Sequence, residues 1–382
     1  MNGLFIVGAK RTPQGRLSGA LAKWSAADLA REAGRGALQA VAPGDIDQVI
    51  VGNVISAGQG MNIARQVGVK LGIPVERPAY TVNMMCASGM QAVILAGQAI
   101  LAGEAKAVLC GGAESMSNAP YLLDRARGGY KLGDGVLVDS ILRDGLTDAF
   151  SGKHMGVTVE ALAEKYKIDR AAQDVFALRS QQKYAKAQAG KIFRDEMAPV
   201  ADLDRDEHPR PDVTLEKLSA MKPVFKPDGT ITAGNASGIN DGAAMLVVCG
   251  ESLMVEKGWT PLARIAGWSV VGVDPEEMGL GPVHATRALC RRLDLTVDDF
   301  EVIELNEAFA AQALACMKEL NVKADRVNPN GGAIALGHPI GASGARLLVH
   351  LAHRIARREI GNALATLCVG GGMGSAVMLE KA

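Results

Sequence analysis

The stretch Val302-Ile303-Glu304-Leu305-Asn306-Glu307-Ala308-Phe309 opens as a buried strand and ends on a polar turn, and Val49-Ile50-Val51-Gly52-Asn53 anticipates it. Working outward, Ser343-Gly344 at the opening of a helix matches Ser88-Gly89. Ala365-Thr366-Leu367-Cys368-Val369-Gly370 likewise parallels Ala107-Val108-Leu109-Cys110-Gly111-Gly112. Asn53 to Asn306, Ser88 to Ser343 and Cys110 to Cys368 give offsets of 253, 255 and 258 residues, the pattern of a duplication with small insertions. Short apolar runs alternate with helical spacing: strands over Leu4–Val7, Gln48–Asn53 and Ala107–Cys110, and a helix over Ala26–Ala40. This alternation implies parallel β-α-β units and an α/β protein of two similar halves. Sheets of this kind bind ligands in a crevice at the strand ends. From Ala113 to about Asn240 the chain is richer in charge, with an amphipathic run from Arg170 to Ala189, and reads as an insertion over the site.

Among 382 residues, 41 basic side chains balance 41 acidic ones, which argues against a nucleic-acid partner, since neutralising phosphates needs a cationic surplus. A hydrophobic share of 48% excludes wholesale disorder, and 45 glycines call for many tight turns or close approaches. The opening MNGLFIVGAKRTP already reads as a strand, leaving no room for a targeting peptide, and Leu379–Ala382 carries no address tail. Ala363–Leu379 is the most apolar stretch, yet Gly370, Gly371, Gly372 and Gly374 make it a strand and turn rather than a membrane span. Six scattered cysteines without a C-x-x-C pair argue against a zinc ribbon and suit a reducing cytoplasm. His350 and His353 stand one helical turn apart without a third ligand, so no metal is expected.

Four segments carry chemistry. In Asn83-Met84-Met85-Cys86-Ala87-Ser88-Gly89-Met90 the cysteine precedes a helix marked by Met90, Val93, Ile94, Gly97, Ile100 and Leu101. A helix N-terminus lowers a thiol pKa and makes thiolate available; a cysteine packed at a strand–helix elbow would look the same. His338 lies between Gly337 and Pro339 in a glycine-rich loop, where it can act as a base toward a thiol or serve structure alone. Asn306 at a strand end can hold a water, orient a histidine or simply form a turn. Cys368-Val369-Gly370-Gly371-Gly372-Met373-Gly374 exposes backbone N–H groups suited to an oxyanion and places a second cysteine at a strand end.

Together these segments resemble the thiolase family, whose NxxCxSG, NEAF, GGxxxxGHPxGxSG and CxGGGxG signatures stand in order along essentially the whole chain. The resemblance implies the thiolase fold: two duplicated β-α-β halves in a five-layered αβαβα core, with a loop domain inserted in the N-terminal half. The implied boundaries are 1–115 (completed by 241–260) for the first half, 116–240 for the inserted CoA-binding loop domain and 261–382 for the second half. The implied activity is reversible Claisen condensation of two acetyl-CoA molecules, or thiolysis of a 3-ketoacyl-CoA, closest to the short-chain members. Coenzyme A thioesters are then substrates, and no cofactor is implied.

By this resemblance Cys86 carries the acyl group and His338 activates it. Cys368 moves the proton at the α-carbon of the second acyl-CoA. Asn306 holds a water that forms one oxyanion hole with His338, and the N–H groups of Cys86 and Gly370 form the other. Ser237, in the match Asn235-Ala236-Ser237-Gly238-Ile239-Asn240-Asp241-Gly242, meets the pantetheine amide. His154, Met155, Met278 and Phe309 line the pantetheine and acyl pocket, and Arg210 stands near the nucleotide, although Pro209 and Pro211 depart from the family pattern. Met84-Met85 before Cys86 and Ala87 after it depart too, which bears on chain-length preference. Asp124–Asp134 resembles the tetramerisation loop of short-chain members and implies a homotetramer built as a dimer of dimers. A decarboxylating ketoacyl synthase of the same fold is the nearest rival, against which Cys368 stands. A non-catalytic acyl-CoA scaffold would have lost a reactive residue, and a nicotinamide dehydrogenase lacks its G-x-G-x-x-G.

Overall fold

The structure is a computed structural model that describes residues 3–382. In chain order the strands are β1 (Leu4–Arg11), β2 (Gly15–Arg16), β3 (Gln48–Gly52), β4 (Ala79–Val82), β5 (Ala107–Ser115), β6 (Tyr121–Leu122), β7 (Val138–Asp139), β8 (Asn240–Gly250), β9 (Ala263–Gly272), β10 (Val302–Leu305), β11 (Asn362–Val369) and β12 (Met373–Glu380). The α-helices are α1 (Ala26–Ala37), α2 (Ile63–Lys70), α3 (Ser88–Leu101), α4 (Met155–Tyr166), α5 (Arg170–Ala189), α6 (Leu215–Ser219), α7 (Glu251–Lys257), α8 (Gly281–Leu293), α9 (Ala310–Leu320), α10 (Ala333–Leu336) and α11 (Ile340–Ala356).

Strands run in the hydrogen-bonded order β10-β11-β12-β9-β1-β8-β5-β3-β4, with β2 beside β8 and β6 paired to β7 as a separate ribbon. β3 is parallel to β4 and β5, and β10 to β11, as β-α-β units require. β8 and β12 run antiparallel to their neighbours, so each half is mixed rather than purely parallel. The reason is local at β12, which follows β11 through the turn Gly370–Gly372, too short for a crossover helix. Within the sheet the two halves meet through three residue pairs between β1 and β9.

Successive side chains of a strand face opposite sides, and here each side is a core. Leu4 and Ile6 point into a central cluster with Ile50, Val108, Leu246, Ala365, Leu367 and Val377, filled by Met90 and Val93 of α3 and Ala345 and Leu348 of α11. Phe5 and Val7 point the other way, onto α1 and α2. Ile303, Leu305, Leu364 and Ala376 face a third cluster with α8 and α9. The layers are therefore helices, sheet, helices, sheet, helices, with α3 and α11 buried between the sheets. Apolar residues therefore lie on most sides of α3, interrupted by Gln91 and Gln98, which matches the apolar spacing after Cys86.

Two expectations are corrected. α5 covers Arg170–Ala189, but its buried face includes Gln173, Asp174, Ser180 and Gln181, so it packs through hydrogen bonds rather than as an amphipathic helix. The repeat also shifts register. Ile50 pairs with Cys110 and Ile303 with Leu364, so Cys110 corresponds to Leu364 at an offset of 254 residues. At that offset Glu114, not Cys110, stands where Cys368 stands. Similar apolar letters in two buried strands produced the slip. Among the described residues, no helix is long and apolar enough to cross a membrane.

Candidate active site

Cys86 sits in a turn that its own motif builds. Asn83 Oδ1 accepts from the Met85 N–H at 2.9 Å. Ser88 Oγ accepts from the Met84 N–H at 2.9 Å and donates to the Met85 carbonyl at 2.7 Å. Met85 is held at φ +46°, a strained conformation for a side chain without a special turn preference, and the sulfur follows two residues before α3. Small residues let other backbones reach this turn: a Cβ on Gly52 would lie 2.3 Å from the Ser88 carbonyl carbon.

His338 is fixed at three points. Its N–H donates to Asn240 Oδ1 at 3.0 Å, and Asn240 in turn donates to the Gly15 carbonyl at 2.8 Å. Nδ1 lies 2.6 Å from Ser343 Oγ, and that hydroxyl gives its one proton to the Pro339 carbonyl at 2.9 Å. The network thus assigns the ring proton to Nδ1 and leaves Nε2 bare. Nε2 lies 3.4 Å from Asn306 Nδ2. Asn306 Oδ1 is buried with no protein partner, a group fit to accept from a water.

The motifs brace one another. Glu307, beside Asn306, accepts from Ser180 Oγ at 2.7 Å and Asn328 Nδ2 at 2.8 Å. The Ser237 N–H donates to the Ala308 carbonyl at 3.0 Å, and the Ala310 N–H to the Asn235 carbonyl at 2.8 Å. His154 caps α4, its Nδ1 accepting from the Gly156 N–H at 3.0 Å, and stacks on Phe225 with ring centroids 4.5 Å apart. Arg210 donates from its guanidinium to the Ala233 carbonyl at 2.9 Å.

A cavity of about 630 Å³ collects these groups: Cys86, His338, Cys368 and Gly370 on its floor, and His154, Met155, Arg210, Ser237, Met278 and Phe309 around its walls. Asn306 lies behind His338, outside the lining. Each residue to which the resemblance gives a catalytic or CoA-binding role is therefore at this cavity or, for Asn306, one contact from it.

Electrostatics correct one expectation. Burial pushes the Cys86 thiol up to about 11 despite its place before a helix, with the Glu114 carboxylate adding to the rise. The N–H groups of Gly370 and of Cys86 itself point at the sulfur and pull the other way. Burial outweighs the helix terminus because the sulfur precedes the helix by two residues and lies against Met116, Ile141 and Ile340. Cys368 is pushed well above the usual thiol range by burial and by the nearby Cys86. Burial lowers His338 to about 4, helped by the Arg346 charge. At neutral pH the resting site holds two thiols and a neutral imidazole with an unprotonated Nε2, so the base is ready and the nucleophile must be deprotonated on demand.

The supports carry no signal of their own in the sequence. Ser343 and Asn240 stand inside the motifs, but only the fold brings them to His338. Glu114 was hidden by the register slip; burial raises its carboxyl to about 7 against four hydrogen bonds that lower it.

The family model described as "Thiolase, N-terminal domain" matches residues 4–252, and "Thiolase, C-terminal domain" matches residues 259–381. An acetyl-CoA acetyltransferase of Escherichia coli (strain K12) is 49% identical, over 100% of both chains. The mitochondrial 3-ketoacyl-CoA thiolase of Homo sapiens is 44% identical, over 100% of this chain and 99% of its own. A crystal structure of that human enzyme in complex with CoA superimposes with a TM-score of 0.98 at 46% identity, covering 100% of this chain and 98% of the other.

Proposed function

Because the chain belongs to the thiolase family, we propose that it is an acyl-CoA C-acyltransferase that condenses two acetyl-CoA molecules to acetoacetyl-CoA and CoA, and runs the reverse thiolysis. The observation that carries this reading is the convergence of Cys86, His338, Cys368 and the Gly370 N–H on one apolar cavity. Full-length likeness to acetyl-CoA acetyltransferases supports the short-chain substrate.

His338 Nε2 takes the proton of the Cys86 thiol as the sulfur attacks the thioester carbonyl carbon. The oxyanion forms where the Cys86 and Gly370 N–H groups converge, each such donor contributing about 3 kcal/mol to the transition state. Collapse breaks the carbon–sulfur bond of the substrate, the leaving CoA thiolate takes the proton of the Cys368 thiol and so leaves Cys368 as thiolate, and the acyl group stays on Cys86 while His338 keeps the proton it took. Cys368, as thiolate, then removes an α-proton from the second acetyl-CoA. The enolate oxygen is held by His338 and by a water on Asn306, whose free Oδ1 suits it. The enolate carbon attacks the acyl carbonyl, a carbon–carbon bond forms, and Cys86 leaves as thiolate. Alternating acyl transfer of this kind gives ping-pong kinetics.

His154, Met155, Met278 and Phe309 suit the pantetheine and acyl group, Ser237 the pantetheine amide and Arg210 the nucleotide end. No resident cofactor is needed. A broader, degradative 3-ketoacyl-CoA thiolase is the second reading, favoured by the likeness to the mitochondrial thiolases and by apolar walls at Met116, Leu142, Leu146 and Ile340. The β6–β7 ribbon and its loop expose Tyr121, Leu132, Val136 and Leu137, which supports a homotetramer joined there. Six free thiols suit the cytoplasm. Steady-state thiolysis of 3-ketoacyl-CoA esters of graded length tests the function. Turnover of acetoacetyl-CoA supports it, a peak at longer chains selects the second reading, and no turnover at any length refutes both.

A further inference from the structure

We propose that Glu114 is a positioning residue that holds the Cys86 turn and the His338 loop in register across the boundary between the two halves, filling in the first half the place that Cys368 fills in the second. The proposal rests on the thiolase reading above.

Glu114 lies near the end of β5, fully buried and outside the cavity lining. Its Oε1 accepts from Asn53 Nδ2 at 2.8 Å and the Ile55 N–H at 3.1 Å. Its Oε2 accepts from the Val54 N–H at 3.0 Å and the Gly341 N–H at 2.9 Å. Three donors belong to the segment after β3. The fourth is in the first turn of α11, three residues beyond His338, where a carboxylate satisfies an N–H that the helix leaves unpaired. One side chain therefore spans both halves.

The backbones meet at the same point. A Cβ on Gly112 would lie 2.0 Å from the Gly341 carbonyl oxygen, and one on Gly89 would lie 2.8 Å from the same atom. A Cβ on Gly341 would lie 2.7 Å from Glu114 Oε2. The start of α3, just after Cys86, and the start of α11, just after His338, thus touch through glycines, and Glu114 is the polar pin of that contact.

The duplication gives the arrangement a counterpart. Glu114 faces Gly242 across β5 and β8, and Cys368 faces Gly374 across β11 and β12. The match of Ser88 with Ser343 sets Cys86 against Gly341. The pair Glu114–Gly341 is therefore the counterpart of Cys368–Cys86. One half keeps the pair that reacts; the other keeps a clamp that aligns it.

Two variants test this. Glu114→Gln places an NH2 against N–H donors, and Asn53→Ala removes one donor while keeping the carboxylate. Thiolysis of acetoacetyl-CoA gives kcat and KM, circular dichroism reports folding, and iodoacetamide at alkaline pH reports Cys86, where hydroxide replaces the histidine base. Glu114→Gln is expected to lower kcat on the order of 30-fold, the scale of a sub-ångström misplacement of reacting groups. KM should stay within about twofold and alkylation at or above the wild-type rate, because neither needs the alignment and loss of the Glu114 charge eases ionisation of the Cys86 thiol. Asn53→Ala should lower kcat less, with the same split. A Glu114→Gln kcat equal to wild type, a loss carried by KM, or a parallel loss of turnover and alkylation overturns the proposal. If Glu114→Gln does not fold, an undiminished kcat in Asn53→Ala overturns it. Wild-type turnover tests the thiolase reading separately, since the proposal concerns only the ratio of variant to wild type.

Discussion

Replacing Ser343 by Ala removes a single oxygen behind His338 and leaves the cavity lining intact. The wild-type hydroxyl holds the ring proton on Nδ1 at 2.6 Å while donating to Pro339, so Nε2 faces Asn306 and the cavity as an acceptor. Without it, a buried Nδ1–H has no partner, at a cost of about 1–3 kcal/mol. The ring relieves that cost by carrying its proton on Nε2, the tautomer that cannot accept from Cys86. Taking the middle of the range, about 2 kcal/mol, the competent tautomer falls about 30-fold at 1.4 kcal/mol per decade. Rapid-quench measurement of acyl-enzyme formation from acetoacetyl-CoA should therefore give a burst about 30-fold slower, with KM for CoA unchanged. An acylation rate within twofold of wild type would refute the tautomer assignment, and so would a loss confined to KM.

Two further outcomes follow from the same geometry. Cys368→Ser should form the acyl-enzyme at nearly the wild-type rate and condense at least about a hundredfold more slowly, because a hydroxyl is a poor α-carbon base; a quenched-flow trace in which acylation and condensation fall together contradicts the division of labour. His338, lowered from 6.5 to about 4, binds its proton more readily in the unfolded chain, so its contribution to stability is present above pH 6.5 and is lost as pH falls toward 4. At 1.36 kcal/mol per unit the loss is about 3 kcal/mol. The melting temperatures of wild type and His338→Asn should therefore converge or cross between pH 7 and pH 4.5, and parallel curves would contradict the burial argument.

What the sequence made legible was mostly local. Strand and helix positions followed from apolar spacing, and the duplication followed from short motifs at nearly constant offset. Cys86, His338 and Cys368 could be singled out because each lies within three residues of glycines or turn formers at the end of a strand or the start of a helix. The sequence did not make the antiparallel return of β8 legible, because alternation of strands and helices does not determine how a final strand inserts. It also hid the polar face of α5, since buried Gln173, Ser180 and Gln181 look like solvated positions until their partners are known. The acidity of Cys86 was misjudged for a related reason. A helix terminus can be read from letters, whereas desolvation depends on Met116, Ile141 and Ile340, which are brought from distant parts of the chain. Glu114 combines both difficulties, a buried charge whose counterpart is visible only in the hydrogen-bond register.

The decisive observation is where an acyl group rests during turnover. Wild-type protein mixed briefly with acetoacetyl-CoA, quenched in acid, digested and analysed by tandem mass spectrometry should carry one acetyl group, on Cys86, and the group should vanish when free CoA is added before the quench. Acetyl on Cys368 or on any other residue, or turnover with no covalent acyl group at any quench time, would contradict a nucleophile at Cys86.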